Sequence, residues 1–134
     1  MARILIVEDH EVHAELFARF VERLGHESVR HDRCTNPALL DIELLLLEPA
    51  AGGAMAIVRD LRTRRPSLPI VCMSIYPQTP EVRALEPTAY LIKPFEFVTL
   101  GEVMGAALQA ERPSVPGDPR SRDVSAAQQA VETG

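Results

Sequence analysis

Short apolar runs recur along the first 111 residues, and each is too short for a helix of ordinary length. Consecutive apolar positions of this kind are typical of strands that are buried on both faces of a parallel sheet. The pattern predicts five strands, at residues 4–7, 28–31, 42–47, 70–74 and 89–92. The second run is the most polar of the five, so it fits the edge of a sheet.

Helical periodicity recurs between the predicted strands. Apolar side chains repeat at helical spacing in residues 16–24, 55–61 and 100–108, so each segment presents an apolar stripe to a core. In the first stripe the repeating residues include Leu16 and Leu24. Gly25 follows, and glycine is the common residue just past a helix C-terminus.

Two of the connections between strands have little room for a helix. Thr79-Pro80-Glu81 carries the capping residue, proline and acid of a helix start. Pro87 stops that helix at about Glu86, so it is short. Between the second and third strands, residues 32–41 include Asn36-Pro37 and leave space for at most one helical turn.

Alternating strands and helices indicate an α/β domain with a parallel sheet. Five strands joined by short connections predict a doubly wound sheet of order 2-1-3-4-5. In such a sheet ligands bind beyond the carboxyl ends of the strands. The residues at these ends are therefore the candidates for a site: Glu8, Asp9, the end of the Leu44–Leu47 run, Ser74 and Lys93.

Composition narrows the class of protein. A chain of 134 residues suits one domain, and a net charge of −5 disfavours direct nucleic-acid binding, which requires a basic face. The chain opens with Met1-Ala2-Arg3 and a strand-like run, without the pattern of a signal peptide. No apolar segment reaches membrane-spanning length. We therefore expect a cytoplasmic protein that contacts no membrane.

The two cysteines and the C-terminal segment suggest no chemistry. Cys72 lies in an apolar run and is expected to be a buried thiol, whereas Cys34 lies in a polar stretch. From residue 112 onward prolines, serines and charged residues replace the large apolar ones. Residues 112–134 are therefore predicted to form a disordered tail behind a domain of residues 1–111.

Residues 2–111 resemble the receiver domain of bacterial response regulators, the CheY-like domain. The resemblance rests on the acidic pair Glu8-Asp9 after the first strand, on Ser74 after the fourth, and on the segment Tyr90-Leu91-Ile92-Lys93-Pro94-Phe95. It implies a flavodoxin-like fold and a role in two-component (phosphorelay) signal transduction. In that family the acidic pair helps to hold Mg²⁺, which prefers hard oxygen ligands. Taken alone, the pair also fits two solvated acids near a helix N-terminus.

Four further residues match switch or pocket positions of the family. The resemblance implies that the Ser74 hydroxyl bonds a phosphoryl oxygen in the active state and that Tyr90 changes rotamer on activation. It also implies that Lys93 pairs with the acidic pocket and that its bond to Pro94 is cis. Lys93 is the only lysine among 14 basic residues, and an ammonium is not interchangeable with a guanidinium in a tight pocket.

The chain departs from the family at the phosphoacceptor, an aspartate at the end of the third strand. Alignment by the helix that follows places Leu46 at this position, and alignment by the intervening loop places Leu45 there. A leucine carries no nucleophile, so no aspartyl phosphate is expected. Glu48 lies just past the strand with the parity of Leu46. It is a candidate for the acidic pocket, as a permanent negative charge or as a partner of Lys93; a solvent-facing loop acid is the other interpretation.

The short connections also predict an interaction surface. In receivers the second and fourth helices, which these connections would remove or shorten, cover the same face of the sheet. Their loss is expected to expose apolar sheet or to alter its packing, and an exposed apolar patch usually marks a partner site. We therefore expect homodimerisation, or docking of another signalling protein, through this face.

These features favour an atypical receiver, or pseudo-receiver, that acts by phosphorylation-independent protein–protein interaction. Two alternatives stay open: a Mg²⁺-dependent receiver with a non-standard acceptor, and a pseudo-receiver that senses a small apolar molecule in a relic pocket floored by leucine. No catalytic triad, phosphate-binding glycine loop or metal-ligand cluster is visible, so no enzyme activity and no cofactor are expected. His10 and His13, three apart on the first helix, are interpreted as surface residues.

Overall fold

The computed structural model describes residues 1–33 and 40–110. Its strands are β1 Arg3–Val7, β2 Glu27–Arg30, β3 Leu44–Leu47, β4 Ile70–Ser74 and β5 Ala89–Ile92. All neighbouring strands are parallel, and they form one sheet in the order β2-β1-β3-β4-β5. This is the CheY-like flavodoxin fold, so the predicted fold class and strand order are confirmed.

Three α-helices and one 3₁₀ turn connect the strands in the described part of the chain, and a fourth α-helix follows β5. They are α1 Glu11–Arg23, the 3₁₀ turn His31–Arg33, α2 Ala54–Arg64, α3 Pro80–Arg83 and α4 Phe97–Ala110. The longest of them, α4, has 14 residues, whereas a membrane-spanning helix needs roughly 20. Among the helices described here, none is long and apolar enough to cross a bilayer.

The sheet separates two apolar layers. α1 and α4 pack on one face, and α2 and α3 pack on the other. Side chains alternate along a strand, so Leu44 and Leu46 point into the first layer and Leu45 and Leu47 into the second. The four-leucine run is thus a strand buried on both faces. Cys72 is buried as predicted, and this burial raises the pKa of its thiol to about 12.

The buried stripe of α1 differs from the predicted one. Its buried residues are Ala14, Phe17, Ala18 and Val21. These positions follow the spacing i, i+3, i+4, i+7, and the two alanines place small side chains against the sheet. Leu16 and Leu24 are 46% and 43% exposed, so the prediction that they belong to the core stripe is wrong.

The helix between β4 and β5 is short, as the sequence predicts. Thr79 caps α3, because its Oγ1 accepts a hydrogen bond from Val82 N at 3.2 Å. The helix ends at Arg83, earlier than the predicted Glu86. The connection from β2 to β3 contains the 3₁₀ turn, while residues 34–39, with Cys34, lie outside the described residues. The predicted tail at residues 112–134 lies outside them as well.

The face shared by α2 and α3 is closed over the strand residues of β1, β3 and β4. Five residues on these strands are each at most 2% exposed: Leu5, Val7, Leu45, Leu47 and Cys72. Loop residues fill the layer beside the helices: Ile42, Ala51 and Leu68. Of the two expected consequences of short helices, the described residues therefore show altered packing, while Val29 on the edge strand β2 is only partly buried. Large exposed apolar side chains lie elsewhere, at Met1, Val12, Leu16, Leu24, Ile75, Tyr76, Ile92, Phe97 and Val98.

Candidate functional site

Two glutamates stand side by side at the carboxyl ends of β1 and β3. Val7 and Leu47 pair on the parallel ladder between these strands, and Glu48 N donates to Val7 O at 2.9 Å. The residue that follows each strand is therefore a glutamate, Glu8 or Glu48. Both are almost buried, at 8% and 7% exposure. Two carboxylates placed this way repel each other unless a cation stands between them.

Lys93 supplies that cation. It follows β5, and its Nζ lies 3.3 Å from Glu8 Oε1 and 3.7 Å from Glu48 Oε1. The peptide bond between Lys93 and Pro94 is cis, as the resemblance implies. The side chains of Glu8, Glu48 and Lys93 are 2%, 10% and 13% exposed. The cluster thus holds two negative charges and one positive charge where screening by water and salt is weak.

His13 is a member of the pocket that the sequence did not reveal. Its ring is 44% exposed, yet its Nδ1 lies 3.2 Å from Glu8 Oε1. His10 caps α1, because its Nδ1 accepts a hydrogen bond from His13 N at 3.5 Å. The first turn of the helix thus carries the His13 ring that contacts Glu8. Interpreting His13 as a surface residue is therefore only half correct. The available signal was its place in the first helical turn after Glu8-Asp9.

Asp9 is oriented away from this cluster. It is exposed, and its Oδ2 accepts a hydrogen bond from Gly52 N at 3.1 Å. Glu8 Oε1 is already engaged by Lys93 and His13, and its Oε2 is buried without a partner among the described residues. The described chain also brings together no group of three or more His, Cys, Asp or Glu side chains able to hold a metal ion. The hydrogen bonds of Glu8 Oε1 and Asp9 Oδ2 therefore compete with a metal ion for these two carboxylates.

The side chains of Ser74 and Tyr90 both form hydrogen bonds with the backbone of Tyr76. Ser74 Oγ accepts a hydrogen bond from Tyr76 N at 3.2 Å, and the Tyr90 hydroxyl donates to Tyr76 O at 2.7 Å. Both side chains are buried, and burial raises the pKa of the Tyr90 hydroxyl. The two residues that the resemblance assigns to switching thus hold the loop that follows β4.

Leu45 and Leu46 occupy the core. Both are fully buried, Leu46 in the layer beneath α1 and α4 and Leu45 in the layer beneath α2. The residue at the end of β3 whose side chain reaches Lys93 is Glu48. Both sequence alignments count back from features beyond the strand, so they depend on the length of the loop at residues 49–53. The pairing of β3 with β1 does not depend on that length.

All four phenylalanines of the chain gather beside the acidic cluster. The ring centroids of Phe17 and Phe95 lie 6.3 Å apart, those of Phe17 and Phe97 lie 6.1 Å apart, and those of Phe20 and Phe97 lie 4.8 Å apart. Phe17, Phe95 and Phe97 line a cavity of about 360 Å³ between α1 and the segment that follows β5, and Lys93 also lines this cavity. The sequence gives no signal for this group, because it joins both ends of the domain.

Solved structures with a similar fold are receiver domains. A two-component response regulator from Clostridium difficile has a TM-score of 0.71 and 18% identity over 84% of this chain and 100% of its own. A CheY-like response regulator receiver domain protein from Methanospirillum hungatei JF-1 has a TM-score of 0.72 and 18% identity over 83% of this chain and 96% of its own.

A third similar structure is the signal receiver domain of a modulated diguanylate cyclase from Desulfovibrio desulfuricans G20. It has a TM-score of 0.69 and 22% identity, over 84% of this chain and 97% of its own. No protein-family model and no curated protein sequence matches the chain. Likeness at these identities establishes the fold, and the function has to be argued from the site.

Proposed function

We propose that this chain is a receiver-like signalling module of the two-component type that acts through protein–protein contact without being phosphorylated. Glu48 then stands where receivers carry the phosphoacceptor aspartate, and its carboxylate supplies a permanent negative charge. The observation that carries the proposal is the contact of Glu48 with Lys93, the lysine that the resemblance assigns to the phosphoryl group.

The electrostatics of the cluster favour a standing charge over a phosphoryl group. Phosphoryl transfer needs a positioned nucleophile and metal ions that neutralise the developing charge. Glu48 is only 10% exposed at its side chain, and it is already paired with Lys93. Glu8 Oε1 already contacts Lys93 and His13, and Asp9 Oδ2 already accepts a hydrogen bond from Gly52 N. A phosphoryl group would add negative charge to a pocket that already holds an excess of it.

The state of Ser74 and Tyr90 supports the same proposal. In receivers the serine position bonds the phosphoryl oxygen in the active state, whereas here Ser74 Oγ accepts from Tyr76 N. The buried Tyr90 ring is tied to the same loop through Tyr76 O. These two hydrogen bonds hold the loop after β4 without a phosphoryl group. A partner would therefore meet the same conformation of this loop whether or not a phosphodonor is present.

The partner in this proposal is a protein, either a second copy of the chain or another signalling protein. Exposed apolar side chains lie at or just beyond the carboxyl ends of β4 and β5, at Ile75, Tyr76, Ile92, Phe97 and Val98. Exposed apolar surface on a folded domain usually marks an interaction site. The face of α2 and α3 that the sequence suggested is the weaker candidate, because its residues on β1, β3 and β4 are buried.

Intact mass spectrometry tests the absence of phosphorylation. The protein is incubated with Mg²⁺ and acetyl phosphate beside a receiver that carries the usual aspartate. We expect a phosphoryl adduct on that receiver and none on this chain. An adduct with the alkaline lability of an acyl phosphate would overturn the proposal. If the adduct then disappeared in Glu48→Gln, the alternative of a Mg²⁺-dependent receiver with Glu48 as acceptor would replace it.

Amide NMR shifts test the role of the standing charge. Glu48→Gln removes the charge while keeping the shape of the side chain, and we expect the amides of Ser74 and Tyr76 to shift. Glu43→Gln is the matched control, because Glu43 is exposed and precedes the same strand. Unchanged Ser74 and Tyr76 amides in Glu48→Gln would show that the loop is held independently of Glu48.

A further inference from the structure

The proposed function assigns no ligand to the cavity of about 360 Å³ beside Lys93, although it places Ile75 and Phe97 of the lining on a protein-contact surface. Its apolar walls are Leu16 and Phe17 of α1, Ile75 after β4, and Phe95 and Phe97 after β5. The volume falls at the small end of the range of small-molecule sites, which runs from roughly 300 to 1,000 Å³. Phenylalanine walls distinguish it from the leucine-floored relic pocket that the sequence suggested.

The mouth of the cavity leaves apolar surface in water. Ile75, Leu16 and Phe97 are 62%, 46% and 40% exposed. Covering such surface is favourable, and aromatic rings gain further from edge-to-face or offset packing. Phe17 and Phe97 already meet edge to face, with an interplanar angle of 69°. An apolar ring between the walls would therefore find both burial and ring packing.

Lys93 provides the cavity with hydrogen-bond donors. Its ammonium group has three donors, and among the described residues it makes one hydrogen bond, to Glu8 at 3.3 Å. Its Nζ lies 5.7 Å from the centroid of the Phe17 ring, so the ammonium stands at the foot of the aromatic wall. A ligand that packs on Phe17 can therefore place an acceptor atom near Lys93.

The charges around Lys93 select the kind of acceptor. Glu8 and Glu48 contribute two negative charges against the single charge of Lys93. An anionic ligand would meet this negative excess, and a cationic ligand would meet the ammonium itself. His13, the other polar side chain of the lining, already contacts Glu8 through Nδ1. An uncharged acceptor, such as a carbonyl oxygen, avoids both repulsions.

We infer that this cavity binds a small aromatic molecule that carries an uncharged carbonyl group. The ring packs against Phe17 and Phe97, and the carbonyl oxygen accepts a hydrogen bond from Lys93 Nζ. This site does not depend on whether Glu48 replaces the phosphoacceptor, because the ligand contacts neither Glu48 nor the loop after β3.

Methyl NMR with three probes of similar size tests the inference. Acetophenone is neutral with a carbonyl, benzoate is anionic, and benzylamine is cationic. We expect acetophenone to shift the methyl signals of Leu16 and Ile75 saturably, while the methyls of Ile57 on α2 stay in place. Benzoate and benzylamine should bind at least about tenfold more weakly, a free-energy difference of about 1.4 kcal/mol.

Two variants at the mouth test the location. Leu16→Trp fills the cavity, and we expect it to abolish the acetophenone shift at Ile75. Leu24→Trp is the matched control, since Leu24 is on the C-terminal side of α1 and is similarly exposed, at 43%. Ile75→Trp, read at the Leu16 methyls, is a second blocking variant in case Leu16→Trp disturbs the helix.

Three outcomes would overturn the inference. One is the absence of any methyl shift with acetophenone up to its solubility limit in the folded protein. Another is binding of benzoate or benzylamine at least as tight as that of acetophenone. The third is a concentration-dependent shift without probe that Leu16→Trp abolishes, because the cavity would then be a self-association surface.

Discussion

Two ionic clusters of this molecule have similar compositions and opposite surroundings. In the pocket at the carboxyl ends of the strands, Lys93 stands between two carboxylates whose side chains are at most 10% exposed. At the edge of the sheet, Arg30 at the end of β2 stands among three carboxylates. Arg33 and Arg19 also contact the edge acids, at 3.8 Å from Glu11 and 3.0 Å from Glu15, so the charges at the edge balance, whereas the pocket holds two carboxylates against one ammonium. The two clusters also differ in their access to water.

The edge cluster is organised by hydrogen bonds from the Arg30 guanidinium to neighbouring carboxylates. Arg30 donates to both carboxylate oxygens of Glu11 at 3.1 and 2.7 Å and to those of Asp32 at 3.2 and 2.9 Å, and it lies 3.5 Å from Glu15. The Arg30 side chain is 6% exposed, whereas the three acids are 69%, 51% and 44% exposed. The hydrogen bond from Arg30 lowers the pKa of Glu11.

This difference separates a structural brace from a functional pocket. The acids at the edge keep much of their hydration and have other arginines nearby, so they would rehydrate if Arg30 were removed. The acids of the pocket have lost most of their hydration and depend on Lys93. A buried charge that loses its partner is strongly destabilising, whereas an exposed charge is not.

The largest expected effect is that of Lys93→Met. It leaves Glu8 and Glu48 buried without a cation, so we expect a loss of about 4 kcal/mol in the free energy of unfolding. Urea denaturation measures this loss. The double variant Lys93→Met, Glu48→Gln should recover part of it, since one of the two unpaired charges is gone. If the double variant were no more stable than the single one, repulsion between the carboxylates would not be the cause.

Arg30→Met should cost less. It removes several hydrogen bonds to charged groups, but the acids it leaves can regain water, so we expect a loss of about 2 kcal/mol. The same urea measurement applies, side by side with Lys93→Met. A loss for Arg30→Met equal to or greater than that for Lys93→Met would contradict the distinction between the two clusters.

The edge cluster should also show a pH dependence through Glu11. A carboxylate whose pKa is lowered in the folded state contributes stability above its ordinary pKa, and that stability is lost as the pH falls through the lowered value. We therefore expect the wild type to exceed Glu11→Gln in urea midpoint at pH 7, with a smaller difference at pH 3. A difference that is the same at both pH values would argue against a charge-dependent contact.

The smallest effect is expected for Arg3→Met. Arg3 Nε lies 3.1 Å from Glu27 Oε2, and the two side chains are 40% and 49% exposed. A surface pair of this kind contributes at most about 1 kcal/mol, so the urea midpoint should change little. The variant is the baseline for the two clusters. A loss as large as that for Arg30→Met would mean that exposure does not decide the contribution of ion pairs in this chain.

Residues at strand ends were predictable where a motif and a strand end coincide. Lys93 follows β5 directly, and Tyr90-Leu91-Ile92-Lys93-Pro94-Phe95 identifies it without counting through a loop. Glu8 follows β1 in the same way. The resemblance to receivers also implied the cis bond before Pro94, which the structure has.

Residues whose position depends on a loop or on helix rotation were harder to predict. Glu48 was only one of several interpretations, because the strand end was inferred through residues 49–53. The predicted stripe of α1 includes Leu16 and Leu24 because it follows the large apolar residues. The true stripe includes the buried alanines Ala14 and Ala18. The contact of His13 with Glu8 is not predictable from helical periodicity, because Glu8 lies in the connection between β1 and α1.

The sequence by itself determined the five strands, their order, the short α3 and the acids and lysine that meet beyond the strands, because periodicity, capping and chain connectivity are local properties. Only the tertiary structure decided that Glu48 shares Lys93 with Glu8, that Asp9 bonds to Gly52, and that Phe17, Phe95 and Phe97 line one cavity. Those facts depend on strand register and on contacts between residues far apart in the chain. The charge of a side chain is written in the sequence, whereas its distance from another charge and from water is set by packing.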